Sequence, residues 1–432
     1  MKRKWLAPVA PARLARALPW FILALASTSV LAQRGRVELG NMNSAALEGN
    51  LLGDPANRPY QVYLPPSYDS TTNRYPAVYV LHGYTQDETA LVGSMRGSLD
   101  SWIPQRRIGE MIAVFVNGAN RLRGSFYLSS PVIGDYESYI TSELVRLIDD
   151  RYRTLSSRES RGITGFSMGA WGAMHLAFKF PDTFSVAVAQ SGLYDSRGTF
   201  NDGLARQFAS YHPTNLAQFA NVPLPANSIA AMFAGLAPNP ERPALFADYP
   251  YENMNGQPVL VDSVHQLALN GDVQNGDLQR YLEQPVRLSG IKVVHGSSDS
   301  LIPATEAHRF TNALATVGLD FEYEEHPGRH EFRPDLALPF LSTHLRGVEL
   351  YVVPPQLTLI YATNTVQVTF PTQSGVVYGI ESSHGLRAST DTWSENALII
   401  GNGQAFMTEV PLTSEHQFFR VRASNAAAES QR

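Results

Sequence analysis

The feature that most constrains the fold is the pentapeptide Gly165-Phe166-Ser167-Met168-Gly169, which joins a short apolar run to a helical pattern. Gly162–Phe166 is apolar enough for a buried strand, and helical periodicity follows from Ser167 to Phe180. A turn that passes directly from strand to helix is so tight that glycine is needed two residues before and after its centre. The sequence therefore predicts an α/β sheet with Ser167 raised above its edge as a nucleophile.

The surrounding chain has the alternation expected of a mainly parallel sheet. Six further runs from residue 57 to 347 are predicted strands: Gln61–Leu64, Ala77–Leu81, Met111–Val116, Val186–Gln190, Lys292–His295 and Phe321–Glu325. Two further helices are predicted, Tyr136–Tyr152 and Ala304–Val317. We expect one α/β-hydrolase domain over residues 33–350.

Two segments depart from that alternation. Residues 198–285 are rich in Pro, Asn and Ala, and so long an excursion predicts a lid or pocket wall, with a helical insertion that only packs as the equal alternative. After Pro354-Pro355, short alternating runs predict a small β-sandwich-like module at 351–432. Its predicted strands are Leu357–Tyr361, Val366–Phe370, Val376–Ser382, Phe406–Pro411 and Phe418–Ala423.

The N-terminus predicts export. Residues 1–32 contain five basic residues and no acidic one. The basic residues all precede an apolar run, Leu18–Leu31, that ends next to Ala32. This pattern is typical of a signal peptide cleaved near Ala32 and of a secreted or periplasmic protein, with an uncleaved anchor as the alternative. The whole chain has 34 basic and 39 acidic side chains. Without the five basic residues of the leader, the net charge of the remaining chain is 29 − 39 = −10. This charge disfavours nucleic-acid binding, and no later segment is apolar enough to span a membrane.

Some kinds of chemistry have no support in the sequence. The chain has no cysteine, so thiolate metal sites and cysteine nucleophiles are excluded. It also has no HExxH pattern and no glycine-rich nucleotide-binding motif. We therefore predict neither a metal nor a cofactor.

A serine nucleophile requires a histidine base and an acid to orient it, and in this fold they follow the serine in the order acid, histidine. Asp299 lies in the loop after the strand Lys292–His295, while the rival Asp262 has no such strand before it. His330 follows a glycine-containing turn after the last strand and is preferred to His326, which ends that strand.

Backbone N–H groups must also stabilise the charge that develops on the substrate oxygen. Leu81-His82-Gly83-Tyr84 ends an early strand, in the position where hydrolases of this fold supply one such donor. We predict the N–H groups of Tyr84 and Met168 as the oxyanion hole, with a structural role for His82.

With these residues assigned, the chain resembles the esterase D / feruloyl esterase family of α/β-hydrolases, which includes the mycobacterial mycolyltransferases of the antigen 85 group. The resemblance covers about Asn57 to Arg346 and rests on five segments: Val62–Tyr68, Tyr79–Gly83, Gly124–Tyr127, Gly165–Gly169 and Gly328–His330. It implies acyl transfer by Ser167, Asp299 and His330. Arg329 stands where the family usually has a second glycine before the histidine.

The resemblance also implies that the loop at 124–130 lines the substrate pocket, through Ser125, Phe126 and Tyr127. We expect a secreted serine esterase acting on a small-molecule or polysaccharide-linked ester, with feruloyl or acetyl esters as the leading candidates. A transferase that passes the acyl group to an alcohol uses the same triad. A non-catalytic binding protein is a further alternative, as is a glycan- or surface-anchoring role for the C-terminal module.

Overall fold

The computed structural model describes residues 34–348, 355, 357–362, 364–373, 376–384, 393–414 and 417–425. The predicted leader and its cleavage site lie outside these residues, so export stays a prediction from the sequence. None of the helices in the described ranges is long and apolar enough to cross a bilayer.

An eight-stranded sheet organises the described chain from residue 36 to 326. Its strands are β1 Arg36–Asn43, β2 Asn57–Leu64, β3 Ala77–Leu81, β4 Ile112–Val116, β5 Arg161–Phe166, β6 Val186–Gln190, β7 Gly290–Gly296 and β8 Glu322–His326. Their order is β1-β2-β4-β3-β5-β6-β7-β8. The β1–β2 and β2–β4 pairs are antiparallel and all other neighbours are parallel. Strand β1, which was not predicted from the sequence, is one of the two edge strands, and its residues are exposed or half-buried.

The central strands are apolar along their whole length because each of their faces packs against a separate core. In β4, Ile112, Val114 and Val116 belong to one buried cluster, while Ala113 and Phe115 belong to the other. Burial on both faces is the normal condition of parallel strands covered by helices.

Helices cover this sheet. Outside residues 198–285 they are α1 Val92–Trp102, α2 in three parts (Tyr136–Ser138, the π-helical turn Tyr139–Leu144 and Val145–Arg151), α3 Met168–Lys179, α9 Ala304–Thr316 and α10 Pro334–His344. The three predicted helices are thus confirmed to within about two residues. The π-helical turn in α2 was not foreseen, because nothing in the apolar periodicity signals one extra residue in a turn.

Residues 198–285 fold as a helical insertion with one hairpin. It contains α4 Thr199–Tyr211, α5 Leu216–Phe219, α6 Ser228–Leu236, α7 Asp262–Leu269, a π-helical turn Val273–Asp277, α8 Leu278–Glu283 and a hairpin of Tyr251–Met254 with Gln257–Leu260. Helix α6 is buried along almost its whole length and belongs to the larger of the two sheet cores. The insertion therefore packs as part of the domain.

The C-terminal region forms two three-stranded antiparallel sheets. Its strands are β9 Thr358–Tyr361, β10 Thr365–Pro371, β11 Val376–Ser383, β12 Ser394–Ile400, β13 Ala405–Pro411 and β14 Phe418–Asn425, ordered β9-β10-β13 and β12-β11-β14. Val366, Val368 and Phe370 of one sheet share a buried cluster with Val376, Tyr378 and Ile380 of the other. Two sheets that share a core form a sandwich, and β12 is a strand that was not predicted from the sequence.

The topology of the large sheet is that of the α/β-hydrolase fold, as predicted. Strands β5, β7 and β8 are parallel, so their carboxyl ends lie at one edge of the sheet. Ser167 follows β5, Asp299 follows β7 by three residues, and His330 follows β8 by four. The sheet itself thus brings three residues distant in sequence to one edge.

Candidate active site

Ser167 lies at the sharp turn between β5 and α3 in a strained backbone conformation. Its φ is 57° and its ψ is −116°, a combination of backbone angles that residues other than glycine rarely adopt. Neither flanking glycine tolerates a side chain, because a Cβ on Gly165 would lie 1.9 Å from Gly169 O and a Cβ on Gly169 would lie 2.1 Å from Leu81 O. The turn is fixed to the neighbouring strand by the Ser167 N–H, which donates to Gln190 O at 2.9 Å. This is the geometry of a nucleophile elbow.

Asp299 and His330 lie in hydrogen-bond contact. Asp299 Oδ2 is 2.7 Å from His330 Nδ1, and the Asp299 side chain is fully buried while that of His330 is 16% exposed. The imidazole packs against Phe166 with the ring centroids 4.8 Å apart. Because the ionised carboxylate accepts a hydrogen bond from the Nδ1–H group, the neutral ring has its lone pair at Nε2.

The second oxygen of Asp299 is held by its own loop. Oδ1 accepts hydrogen bonds from Leu301 N–H at 2.8 Å and from Ile302 N–H at 2.9 Å. Burial would raise the pKa of Asp299, but the hydrogen bonds from His330 and from these backbone groups outweigh burial and hold the pKa below its ordinary value. The carboxylate is therefore ionised and fixed in orientation when it meets the histidine.

The rival acid and base lie elsewhere. Asp262 is exposed at the first position of α7, where its nearest hydrogen-bonding partner is Gln266 at 3.4 Å. His326 is buried at the end of β8, and its Nδ1 accepts hydrogen bonds from Gly328 N–H and from Arg333 Nη1, both at 3.1 Å. Neither residue makes a contact like the one between Asp299 and His330.

The loop after β3 passes directly against the elbow. A Cβ on Gly83 would lie 3.4 Å from Ser167 Cβ, and the Gly83 N–H already donates to Gln86 Oε1 at 2.9 Å. The N–H groups of Tyr84 and Met168 have no acceptor among the described residues. Both residues line the same cavity as Ser167. Two free N–H groups beside the nucleophile are the arrangement that an oxyanion hole requires.

His82 orders this loop. Its Nε2 accepts from Gly118 N–H at 2.8 Å, so the proton is on Nδ1 and is donated to Gly83 O at 2.8 Å. Burial lowers the pKa of His82 to about 4, so the ring is neutral at physiological pH. This is the structural role that the sequence predicted.

A cavity of about 290 Å³ opens above Ser167 and His330. The insertion supplies one of its walls, through Phe200, Leu204, Leu224, Pro225 and Ser228. Most of the remaining lining is apolar or aromatic and comes from the elbow, the Tyr84 loop, Leu193 and the Asp299 loop. Residues 198–285 therefore both pack in the core and wall the cavity.

Of the three predicted pocket residues, only Phe126 lines this cavity. Ser125 is fully buried, and its hydroxyl donates to Gly118 O at 2.8 Å. Tyr127 is also fully buried, and its hydroxyl donates to His82 O at 2.9 Å. Both residues therefore hold the loops beneath the cavity together through these hydrogen bonds. Consecutive side chains of a tight loop point in different directions, and only Phe126 faces the cavity.

A family model described as putative esterase matches residues 55–334, which is well over half of the chain. The chain belongs to this esterase family. Esterase Rv1288 of Mycobacterium tuberculosis (strain ATCC 25618 / H37Rv) is 25% identical over 280 residues, 64% of this chain and 53% of the relative. The uncharacterized protein YbbA of Bacillus subtilis (strain 168) is 30% identical over 160 residues, 34% of this chain and 62% of YbbA. The chain thus spans 62% or less of the length of these two relatives.

Among solved structures, the esterase-family chain is similar to a ferulic acid esterase, with 20% identity and a TM-score of 0.47 over 72% of this chain and 99% of that chain. It is also similar to an S-formylglutathione hydrolase from Staphylococcus aureus, with 16% identity and a TM-score of 0.47 over 72% and 98% of the two chains.

A group of charges around a buried histidine of the elbow helix was not foreseen from the sequence. His175 of α3 lies between Asp277 Oδ2, 2.6 Å from Nδ1, and Glu137 Oε1, 3.1 Å from Nε2. Lys179 pairs with Glu137 at 2.6 Å and Arg280 pairs with Asp277 at 2.7 Å. We call these five residues the His175 clamp. It joins α2, the nucleophile helix α3 and the segment that closes the insertion.

The clamp keeps its histidine charged. Burial lowers the pKa of His175, but Asp277 and Glu137 outweigh burial and raise it to about 9. Burial alone would raise the pKa of Glu137, but its hydrogen bonds to His175 and Lys179 and their positive charges outweigh burial and lower the pKa to about 2. The two carboxylate partners of His175 lie 38 and 102 residues away along the chain, so no local sequence pattern reveals them.

A second buried histidine supports the acid. His295 Nε2 lies 2.9 Å from Ile302 O and 3.5 Å from Asp299 Oδ2, at the start of the loop that holds the carboxylate. Burial lowers the pKa of His295, so the ring is neutral and donates its proton from Nε2. Within the described ranges, no group of three or more His, Asp or Glu side chains is arranged to hold a metal ion.

Proposed function

We propose that this chain hydrolyses carboxylic esters through an acyl-enzyme, with Ser167 as nucleophile, His330 as general base and acid, and Asp299 as the residue that orients His330. One observation carries the proposal: Asp299 Oδ2 lies 2.7 Å from His330 Nδ1, and His330 lines the same cavity as Ser167. Membership of the esterase family supports the same chemistry.

In this mechanism Ser167 Oγ attacks the ester carbonyl carbon and His330 Nε2 takes the hydroxyl proton. The buried carboxylate of Asp299 stabilises the imidazolium that forms. The N–H groups of Tyr84 and Met168 bind the oxygen of the tetrahedral intermediate. His330 then protonates the leaving alcohol, and water repeats the sequence on the acyl-enzyme to release the acid.

The cavity favours an apolar acyl group. Its volume of about 290 Å³ is at the lower end for small-molecule sites, which are about 300–1,000 Å³. Its lining includes Phe126, Phe166 and Phe200 and contains no Asp, Glu, Lys or Arg side chain. An aromatic or medium-length aliphatic acyl group fills such a space, whereas an acetyl group leaves most of it empty. A feruloyl-type ester is therefore the substrate we favour over an acetyl ester.

The proposal is tested with a fluorophosphonate probe and a p-nitrophenyl ester. We expect the probe to label the wild-type chain and the Ser191→Ala variant, and to leave Ser167→Ala unlabelled. Ser191 is a matched control because it follows the neighbouring strand β6, also has a positive φ of 50° and does not line the cavity. Ester turnover by Ser167→Ala at the wild-type rate would disprove the mechanism.

Transfer of the acyl group to an alcohol proceeds through the same acyl-enzyme. Adding a sugar or alcohol acceptor to the assay separates the two reactions, because hydrolysis gives only the free acid. A mixture dominated by a new ester would identify the chain as a transferase.

A further inference from the structure

The loop that carries the proposed oxyanion donor Tyr84 uses its other backbone N–H groups within the protein. We call residues 83–86 the oxyanion loop. Gly83 N–H donates to Gln86 Oε1 at 2.9 Å, and Gln86 N–H donates to Gly83 O at 3.2 Å. Thr85 N–H donates to Arg123 O at 2.9 Å, while the Tyr84 N–H has no acceptor among the described residues. Since backbone N–H groups that are shielded from water normally have partners, the one that is left free indicates a group kept for a ligand.

Gln86 binds both polar backbone groups of Gly83, one with its side chain and one with its own backbone. The capping box of helices contains the same reciprocal pair over three residues, and there Glu or Gln is the side chain that reaches back to the N–H. The Gln86 side chain is half-buried and lines the cavity above Ser167. It engages the Gly83 N–H, so that this group does not compete with the Tyr84 N–H for the substrate oxygen.

The direction of the Tyr84 N–H follows from the carbonyl group of Gly83. The peptide bond between these two residues is trans, so its C=O and N–H groups point in opposite directions within one plane. Gly83 O accepts hydrogen bonds from Gln86 N–H and from His82 Nδ1, the latter at 2.8 Å. Two donors on this oxygen therefore fix the plane in which the Tyr84 N–H lies.

Backbone preference alone does not keep the oxyanion loop in this shape. Thr85 has a φ of 68°, a left-handed conformation that β-branched residues rarely adopt. Such a residue persists only where the surrounding contacts hold it. The contacts here are the bonds from Gln86, His82 and Arg123. Removing the Gln86 side chain therefore allows the loop to relax and the Tyr84 N–H to turn away.

We propose that Gln86 is a positioning residue for the oxyanion hole: it fixes Gly83 so that the Tyr84 N–H faces the carbonyl oxygen of the ester. This inference rests on the proposed ester hydrolysis. The substrate oxygen carries its full negative charge only in the tetrahedral intermediate, so a misplaced donor destabilises the transition state more than the bound ester. The effect of losing Gln86 therefore falls on kcat and leaves KM unchanged.

Two variants of the full chain test this role. Gln86→Met keeps the length of the side chain but removes the acceptor, while Gln86→Asn keeps the amide but is one methylene shorter. For both we expect kcat with a p-nitrophenyl ester to fall about 10- to 100-fold at unchanged KM, less than the roughly 10²–10³-fold typical of removing a whole donor. Circular dichroism checks the fold of each variant, and either folded variant decides the question.

A trifluoromethyl ketone gives a readout that a merely structural role would not move. Ser167 Oγ adds to its carbonyl carbon, and the product carries a tetrahedral oxyanion like that of the intermediate. We expect the Ki of this inhibitor to rise by the same factor as kcat falls. Gln218→Met is the matched control, because Gln218 Oε1 also accepts from a backbone N–H, that of Thr214 at 2.7 Å, at an exposed site outside the cavity lining. We expect wild-type kcat and Ki in this control.

Three results would overturn the inference. The first is wild-type kcat in a folded Gln86 variant. The second is a loss of kcat with the wild-type Ki for the ketone, which would place the role of Gln86 outside the oxyanion hole. The third is an equal loss in Gln218→Met. Failure of the proposed function has a different signature, because then the wild-type chain neither hydrolyses the ester nor binds the ketone.

Discussion

His175 Nδ1 lies 2.6 Å from Asp277 Oδ2, and both side chains are almost completely buried. The contact joins the helix that begins at the Ser167 elbow to the last segment of the insertion that walls the cavity. A charged pair in the core is costly to form, because both charges lose their contact with water. It is also costly to break, because removing one partner leaves the other charge buried and unpaired. The His175 clamp therefore ties the last segment of the insertion to the elbow helix through one protonated histidine.

The first prediction concerns the pH dependence of this clamp. The pKa of His175 is about 9 in the folded chain against an ordinary value of 6.5. A folded-state pKa above the unfolded value gives a stabilisation that is fully present below about pH 6.5 and is lost as pH rises through about 9. We expect His175→Gln to lower the free energy of unfolding by about 3 kcal/mol at pH 6, and the difference from wild type to shrink towards pH 10.

Denaturant unfolding of both chains at several pH values measures this difference. His308→Gln is the matched control, because His308 pairs with Glu325 at 2.6 Å but is 48% exposed. We expect a much smaller loss of stability there, because exposed ion pairs contribute little. A difference for His175→Gln that is constant from pH 6 to pH 10 would show that the histidine is not charged in the folded chain.

The second prediction concerns Asp299. In Asp299→Asn the amide N–H₂ faces His330 Nδ1 and forces the ring proton onto Nε2, which then cannot accept the proton of Ser167. We expect kcat to fall by about 10⁴-fold with the fold retained, the magnitude typical of this substitution in a serine triad. Circular dichroism and steady-state kinetics check this. Asp262→Asn should keep wild-type kcat, and an equal loss in both variants would reject Asp299 as the acid.

The third prediction concerns the insertion wall. Leu204 lines the cavity and is 8% exposed, so Leu204→Ala enlarges the space for the acyl group. In wild type we expect kcat/KM to rise about fourfold with each methylene added to the acyl chain until the cavity is filled. The reason is that burying one methylene contributes about 0.8 kcal/mol. Leu204→Ala should move the optimum to longer chains.

A panel of p-nitrophenyl esters of increasing acyl length measures this optimum. Gly203→Ala is the control on the same helix, because its added methyl group meets no other atom within 4 Å. An unchanged optimum in Leu204→Ala would mean that the acyl group binds elsewhere.

The fourth prediction concerns the elbow glycines. Gly165→Ala places a methyl group 1.9 Å from Gly169 O, a contact that only a shift of backbone can relieve. We expect this variant to lose both activity and cooperative unfolding. Gly97→Ala, at an exposed position inside α1 with open space around it, should instead stabilise the chain by about 0.5–1 kcal/mol. Thermal unfolding of the two variants distinguishes these outcomes, and wild-type behaviour of Gly165→Ala would contradict the close approach of Gly165 to Gly169 at the elbow.

The parts of the molecule that could be predicted from the sequence have local signals. The strand, turn and helix around Ser167 occupy consecutive residues, and the positions of Asp299 and His330 follow from the rule that parallel strands end at one edge. The edge strand Arg36–Asn43 lacks the apolar character of the central strands, which explains why it was missed.

The remaining features depend on contacts between residues far apart in sequence. The partners of His175 lie on α2 and in the insertion, and no motif marks them. Whether Ser125, Phe126 or Tyr127 faces the cavity depends on single backbone angles, and both Phe126 and Tyr127 have positive φ, 50° and 58°.

The most direct test of the proposed mechanism is to trap the acyl-enzyme. Rapid mixing with a p-nitrophenyl ester, followed by acid quench and peptide mass spectrometry, gives both the amplitude of the first turnover and the modified residue. We predict a burst of p-nitrophenol equimolar with the chain, an added acyl mass on Ser167, and neither in Ser167→Ala. An acyl group on another residue, or an undiminished burst in Ser167→Ala, would contradict the mechanism.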